Sequence, residues 1–315
     1  MGRATLVVLI VVLIVGAIIA LNYTPAGQLL GLVTTVSPTR TTHVTTPQQT
    51  HTTPTVPLTT TPAQTITTTV ATTTPDSEAE IVDAEIVNPA RFYIASYGQL
   101  YIYDHSRGRL ESVLQRRISC FDFDPNDPRK LYYTDANNVE IRLFTSESGE
   151  KTVYRHDTYV RCVRFGRDGM LYFSEASGAG ADGKIFRLRG ESAELFYVVK
   201  LRDVDGFWAG DFDFNERGDL YLASGNRIPS SIYFVVNQVP TRIKTIDSSI
   251  VGLRLVKQVT LKIGGVTTIL ARGLLYTDFH NSLYIYDLTT GKTYRFYHNA
   301  SFTYDNRLQD ALLAQ

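Results

Sequence analysis

The residues of this chain able to do chemistry sit in short polar stretches between apolar runs. Asp203-Val204-Asp205-Gly206-Phe207-Trp208 sets two carboxylates beside the chain's single Trp. Ser224-Gly225-Asn226-Arg227 offers an amide and a guanidinium, and Asp278-Phe279-His280-Asn281 a carboxylate, an imidazole and an amide. Asp135 and Glu175 each close an apolar run. An aromatic ring with polar neighbours suits docking of a sugar or peptide: the ring supplies contact area and the polar groups fix orientation. Asp205, Trp208, Asn226, Arg227 and His280 are therefore the candidate ligand-binding residues, with packing between strands as the competing role of Trp208.

Other signals exclude more than they assign. Gly178–Lys184 (GAGADGK) fits both G-x-G-x-x-G and G-x-x-x-x-G-K. A phosphate loop must open a helix whose N-terminus meets the anion. Here Ile185-Phe186-Arg187-Leu188 follows in strand-like alternation, and Ile185 stands where the magnesium-binding Ser or Thr belongs, so the stretch reads as a long hairpin loop. No G-x-S-x-G, H-E-x-x-H or C-x-x-C occurs, which removes the common hydrolase and dithiol signatures and leaves no catalytic residue to assign. Cys120 and Cys162 occupy equivalent places in successive repeats. Equivalent residues point the same way round a ring, so the two are expected to stay unlinked, as buried thiols.

The elements that must position these stretches are five copies of one hairpin. Lys130–Phe144 (KLYYTDANNVEIRLF) reads strand, turn, strand, with period-2 alternation. Arg91–Tyr103, Met170–Arg187, Asp219–Phe234 and Leu274–Tyr286 repeat the phrase, at steps of roughly 40–54 residues, a spacing that means a repeat architecture. Flanking strands complete a four-stranded unit: Ile118–Asp124, Lys130–Thr134, Val139–Phe144 and Lys151–Arg155 in the second copy. Four antiparallel strands in about 40 residues is the blade of a β-propeller. Residues 79–315 are thus an all-β propeller, with five blades expected and six the alternative. In the fifth copy Val266–Ala271 fits the first strand by position, leaving Ile250–Ile263 as an extra hairpin without a place. Ring closure falls to Ile81–Val87 or to Leu308–Gln315, since a ring removes exposed edges.

Lys130–Asp135 (KLYYTD), Leu274–Asp278 (LLYTD) and the Gly-x-Leu-Tyr phrases at Gly169–Tyr172 and Gly218–Tyr221 resemble the YWTD, NHL and SMP-30/gluconolactonase propellers. Those families share a fold more than a function. The resemblance implies that Asp135, Glu175 and Asp278 stabilise turns. It also implies an alternative, a divalent ion at the channel mouth as in the lactonases. Glu175, Asn226 and Asp278, with His280 nearby, are of suitable type, and their oxygens suit Ca²⁺.

The N-terminal quarter is of another kind. Residues 4–21 are apolar and uncharged, and 18 helical residues span about 27 Å, close to the hydrocarbon thickness of a bilayer. Arg3 precedes them, which orients the N-terminus inside. We expect a transmembrane signal-anchor here, with a cleaved signal peptide the alternative. Residues 34–75 hold 21 Thr and six Pro, with no acidic residue and no Gly. Such a segment reads as a disordered, O-glycosylated stalk, reaching on the order of 100 Å if extended. Asn22 and Asn299 open N-glycosylation sequons. The 31 basic and 31 acidic side chains balance, giving no charge excess for a nucleic-acid partner. The whole reads as a single-pass protein displaying a propeller outside the membrane. It is expected to bind a protein, peptide or glycan, with a metal-dependent lactonase or a structural surface or filament component as alternatives.

Overall fold

The structure is a computed structural model that describes residues 80–135, 139–175, 181–200, 202–204, 211–225, 228–302 and 308–314. It is a five-bladed β-propeller. Each blade is a four-stranded antiparallel meander that runs from the axis outward. Blade I is Leu308–Leu313, Arg91–Ser96, Leu100–Asp104 and Arg109–Leu114. Blade II is Cys120–Asp124, Asp127–Thr134, Glu140–Thr145 and Gly149–Arg155. Blade III is Val160–Phe165, Leu171–Glu175, Gly183–Arg189 and Ser192–Val199. Blade IV is Phe212–Phe214, Leu220–Ala223, Ser230–Val236 and Val239–Ile246. Blade V is Ile250–Ile263, Val266–Asp278, Ser282–Asp287 and Thr293–His298.

Alternation places the core. In blade II Leu131 and Tyr133 are buried with Tyr132 half-buried between them, whereas the second strands of blades III and IV, shielded on both faces, are buried from Leu171 to Ser174 and from Leu220 to Ala223. Arg167-Asp168-Gly169 and Arg217-Gly218 turn the inner strands of blades III and IV outward, with Gly169 at φ 72° and Gly218 at φ 86°, a region that glycine enters without a Cβ penalty.

Ring closure is made by the C-terminus. Leu308–Leu313 pairs antiparallel with Arg91–Ser96 and so becomes the inner strand of blade I. Ile81–Val87 does not compete for that place. Ile81–Asp83 adds in parallel to the outer strand of blade V, and Glu85–Asn88 pairs with Thr260–Lys262. Gly252 lets the ring shut tightly, because a Cβ there would lie 2.7 Å from the Gln309 carbonyl oxygen.

Blade V departs most from the sequence reading. Ile250–Ile263 is its inner strand, and it keeps one register with Val266–Asp278 from Gly252 to Ile263, interrupted only at Gln258, which has φ 50°. Val266–Ala271 is the return leg of the same hairpin. The two strands are 14 and 13 residues long, about twice the usual strand length, so their far halves form an arm. Val259, Leu261 and Leu270 of the arm are buried in one cluster with Ile86, Ile285 and Tyr294.

Candidate functional site

The innermost strand of every blade has one edge turned to the axis, with no strand to pair it. Buried backbone groups there need other partners. Four aspartates supply them in one repeated way. Asp122 accepts from its neighbour Phe123 N–H (3.0 Å) and from Phe165 N–H of the next blade (2.8 Å). Asp310 does the same with Ala311 (2.9 Å) and Phe121 (3.3 Å), Asp211 with Phe212 (2.7 Å) and Leu253 (2.9 Å), and Asp213 with Phe214 (2.8 Å) and Leu255 (2.6 Å). Two guanidinia serve the carbonyls and neutralise the carboxylates. Arg164 donates to the oxygens of Val163 (2.9 Å), Phe121 (3.0 Å) and Leu253 (3.1 Å), and pairs with Asp310 and Asp211. Arg254 donates to Phe121 O and pairs with Asp310 (2.8 Å) and Asp122 (2.9 Å). The axis is thus filled by an ion network to which all five blades contribute.

Four carboxyl groups share two cations in a desolvated place, which sets burial against attraction at each of them. Burial pushes Asp211 up to about 7 and Asp213 to about 6, against the pull of Arg164. Burial also acts on Asp310, but Arg164 and Arg254 outweigh it and hold its carboxyl below the usual range. Burial opposes the charge of Arg254, and Asp310 and Asp122 more than offset it, raising its pKa.

Cys120 and Cys162 form a disulfide in this axial layer, contrary to the expectation of unlinked thiols. Distance decides over phase. Inner strands converge on the axis, and the two Cα atoms are only 4.9 Å apart, inside the range a disulfide spans. The denatured, non-reduced chain is therefore expected to take up no alkylating reagent, and to take up two equivalents after reduction; mass spectrometry checks this. Cys120, Cys162 and Asp211 offer ligand atoms within 4.8 Å of one another, but the sulfurs are bonded to each other and Arg164 occupies Asp211.

Of the sequence-derived candidates, Asp135, Glu175, Asp278 and His280 fall at one end of the propeller, where second strands end. Asp278 is a turn group: its carboxylate accepts from His280 N–H (2.9 Å), Ser282 N–H (3.1 Å), Tyr284 Oη (3.2 Å) and Ser248 Oγ (3.3 Å). Glu175 lies 3.4 Å from His156 Nε2 and 3.3 Å from Lys184 Nζ. Burial raises the Asp135 carboxyl, with Arg117 4.0 Å away pulling the other way. The His280 side chain is exposed. Among the described residues Glu175 and Asp278 are not gathered into one metal-ligating group. Asp205, Trp208, Asn226 and Arg227 lie outside the described residues, as do 4–21, 34–75 and most of Gly178–Lys184. Asn299 donates its amide to Tyr297 Oη at 3.2 Å.

Two cavities lie at the opposite end of the axis, where first and second strands turn. One, of about 490 Å³, is walled by Pro125, Phe165, Phe214 and Leu255, with Glu216 and Lys257. Its neighbour, of about 350 Å³, adds Asp168, Tyr172, Phe196 and Arg217. Gly166, Arg167 and Phe214 line both. The nearby charges are mostly paired: Glu216 with Lys257 and Arg272, Arg217 with Asp219, and Asp168 with Tyr172 Oη. Arg167 is exposed and has no ion pair or hydrogen bond among the described residues. An aromatic wall beside a cation fits an anionic group carried on an apolar body. This end left little trace in the sequence because its cation sits in a short turn, Gly166-Arg167-Asp168-Gly169, that looks like punctuation. The axial charges did leave a signal: CFDF, CVRF and DFDF place a charge between apolar residues in three inner strands.

No family model and no curated protein matches the chain. Among solved structures it is similar to an auxiliary nutrient binding protein from Bacteroides thetaiotaomicron, with 12% identity and a TM-score of 0.46 over 73% of this chain and 59% of that one. A counterpart from Bacteroides ovatus gives 10% and 0.46 over 75% and 62%. A calcium-binding protein, regucalcin, from Agrobacterium tumefaciens gives 11% and 0.40 over 70% and 76%. The chain spans about three fifths of the length of the two nutrient-binding proteins, and no ligand carries over at these values.

Proposed function

We propose that this chain is a membrane-anchored, extracytoplasmic binding module. Its propeller takes a peptide or protein partner that presents an acidic group together with apolar side chains. Arg167, set in the shared wall of two cavities beside Phe214, carries the reading. The anchor and stalk rest on the composition of residues 4–21 and 34–75. Among the described residues no helix is long and apolar enough to cross a membrane, and the anchor segment is outside them. The lactonase alternative asks for carboxylates at the axis that are free for a metal. Asp122, Asp211 and Asp310 face guanidinia instead, and Asp278 is held by its own turn.

The test is calorimetric titration of the full chain with short synthetic peptides that pair Phe or Leu with Asp, Asn or Lys. The Asp peptides should bind best, and Arg167→Ala should weaken them by about tenfold or more, the worth of a charged hydrogen bond. Equal binding by wild type and variant defeats the assignment. One equivalent of divalent metal found by elemental analysis, and lost with Asp278→Asn, turns the reading to the lactonase.

A further inference from the structure

The two cavities beside Arg167 are chambers of one groove, and their walls show how it runs. The larger is walled by Pro125 of blade II, Phe165 of blade III, Phe214 of blade IV and Leu255 of blade V. Only the axis of a propeller touches four blades, so this chamber is axial. The smaller draws on blades III and IV alone. Its blade III wall passes from Gly166, at the end of the first strand, through Tyr172 of the second to Phe196 of the fourth. It therefore runs outward between the two blades. Gly166, Arg167 and Phe214 stand where the chambers meet.

The outer chamber is built in advance. Tyr172 meets Phe196 at 4.9 Å between ring centroids and meets Phe214, across the blade boundary, at 4.8 Å. The Tyr172 hydroxyl donates to Asp168 (2.9 Å), which fixes the ring. Gly166 lets that ring lie against the backbone, since a Cβ there would sit 2.5 Å from Tyr172 Cε2. Phe196 is nonetheless 43% exposed, so an aromatic face is left for a ligand to cover. The other charges on the walls are paired, Glu216 with Lys257 and Arg217 with Asp219. Among the described residues Arg167 is thus the one cation of the walls without an ion pair, and it stands between two apolar spaces.

We propose that the groove takes one extended peptide segment, with an acidic residue at its centre and an apolar or aromatic residue two places to either side. This placement rests on Arg167 as the site of the acidic group and adds the partner's spacing. In an extended chain alternate side chains share a face, about 7 Å apart. One face then presents three groups in line. An apolar side chain enters the axial chamber, the carboxylate meets Arg167, and a second apolar side chain covers Phe196 in the outer chamber. The residues between them point to solvent and can be of any polar type. An acid flanked directly by its apolar neighbours sends them to the face opposite its carboxylate. Such a segment can fill the chambers or meet Arg167, but not both. Because the rings and Gly166 already hold the groove open, little ordering of the protein is charged against the affinity.

The test is calorimetric titration of the full chain in detergent with peptides of one composition, two Phe and one Asp in a Gly and Ser background, that differ only in spacing. Phe-x-Asp-x-Phe should bind about tenfold or more tighter than isomers with each Phe beside the Asp, or four residues from it as a helix would require; that is the worth of one buried aromatic side chain. Replacing either Phe of the best peptide by Ala should cost a similar factor. Phe196→Ala should abolish the contribution of one Phe and leave that of the other, which also gives the direction of the bound chain. The spacing series needs no altered protein, so it decides the matter should Phe196→Ala fold badly. Wild type that binds the isomers equally overturns the spacing and leaves Arg167 as the site of the acidic group. Wild type that takes up no Asp peptide removes that site and the extended segment with it. A Phe196→Ala variant that weakens both Phe contributions alike, or neither, overturns the placement of one side chain in each chamber.

Discussion

Replacing Arg164 by Met is expected to lower the stability of the propeller by about 3–5 kcal/mol, the usual consequence of breaking one side of a buried ion pair. Arg164 is fully buried and touches blades I, II, IV and V from its place in blade III. Methionine matches much of its length but donates nothing. Asp211 and Asp310 lose their shared cation, and the carbonyls of Phe121 and Leu253 lose a donor. For a domain of this size the shift in melting temperature is roughly 10 °C, read by circular dichroism. Asp211→Asn should cost less in the Met variant than in wild type, because without Arg164 the carboxyl has already lost the cation it pairs with; this is the non-additivity expected of one network. A Met variant melting within about a degree of wild type would mean that the axis is held by packing alone.

The parts of this molecule legible in the sequence are those set by local alternation. The hairpins at Lys130–Phe144 and Leu274–Tyr286 announce their strands because apolar and polar residues alternate with period two, and four strands per repeat then fix a propeller. What was not legible depends on which strands meet round the ring. Leu308–Leu313 and Ile81–Val87 look alike as edge strands, and only closure decides between them. Ile250–Ile263 looks like a hairpin of its own, and Val266–Ala271 and Leu274–Asp278 like two separate strands, because most strands are short. Cys120 and Cys162 looked too far out of phase to join, a judgement that needs the distance between neighbouring inner strands. Asp122, Asp211, Asp213 and Asp310 were visible as charges inside apolar strands, but their role follows from an unpaired backbone edge in the next blade, which no single strand reveals. The candidate residues singled out for being polar and near a turn fared differently. Asp278 proved to serve its own turn, while Arg167, which has no ion pair among the described residues, sits at the other end of the axis.

The same axial carboxyls predict an inverted pH dependence. An aspartate raised by burial holds a proton in the folded chain that it has already lost in the unfolded one, whose value is near 3.8. Where the folded state binds more protons, stability falls as pH rises. Asp213, at about 6, and Asp211, at about 7, thus favour the fold below the unfolded value. That advantage is lost as pH climbs from about 4 through 6 and 7. Asp310 is shifted the other way, so its contribution is lost only on acidification below the usual aspartate range. Asp127 and Glu216, both held near 2 by basic neighbours, likewise act only at the acid end. Between pH 5 and pH 8 this axial pair therefore sets the slope, on the order of 4 kcal/mol at 1.4 kcal/mol for each pKa unit. Urea midpoints should be higher at pH 5 than at pH 8. Asp213→Asn, neutral throughout, should flatten the slope and gain on wild type as the pH rises. Midpoints that stay level in wild type across that range, or a slope unchanged in Asp213→Asn, would mean that both carboxyls are fully ionised in the fold and that Arg164 and Arg254 overcome the burial.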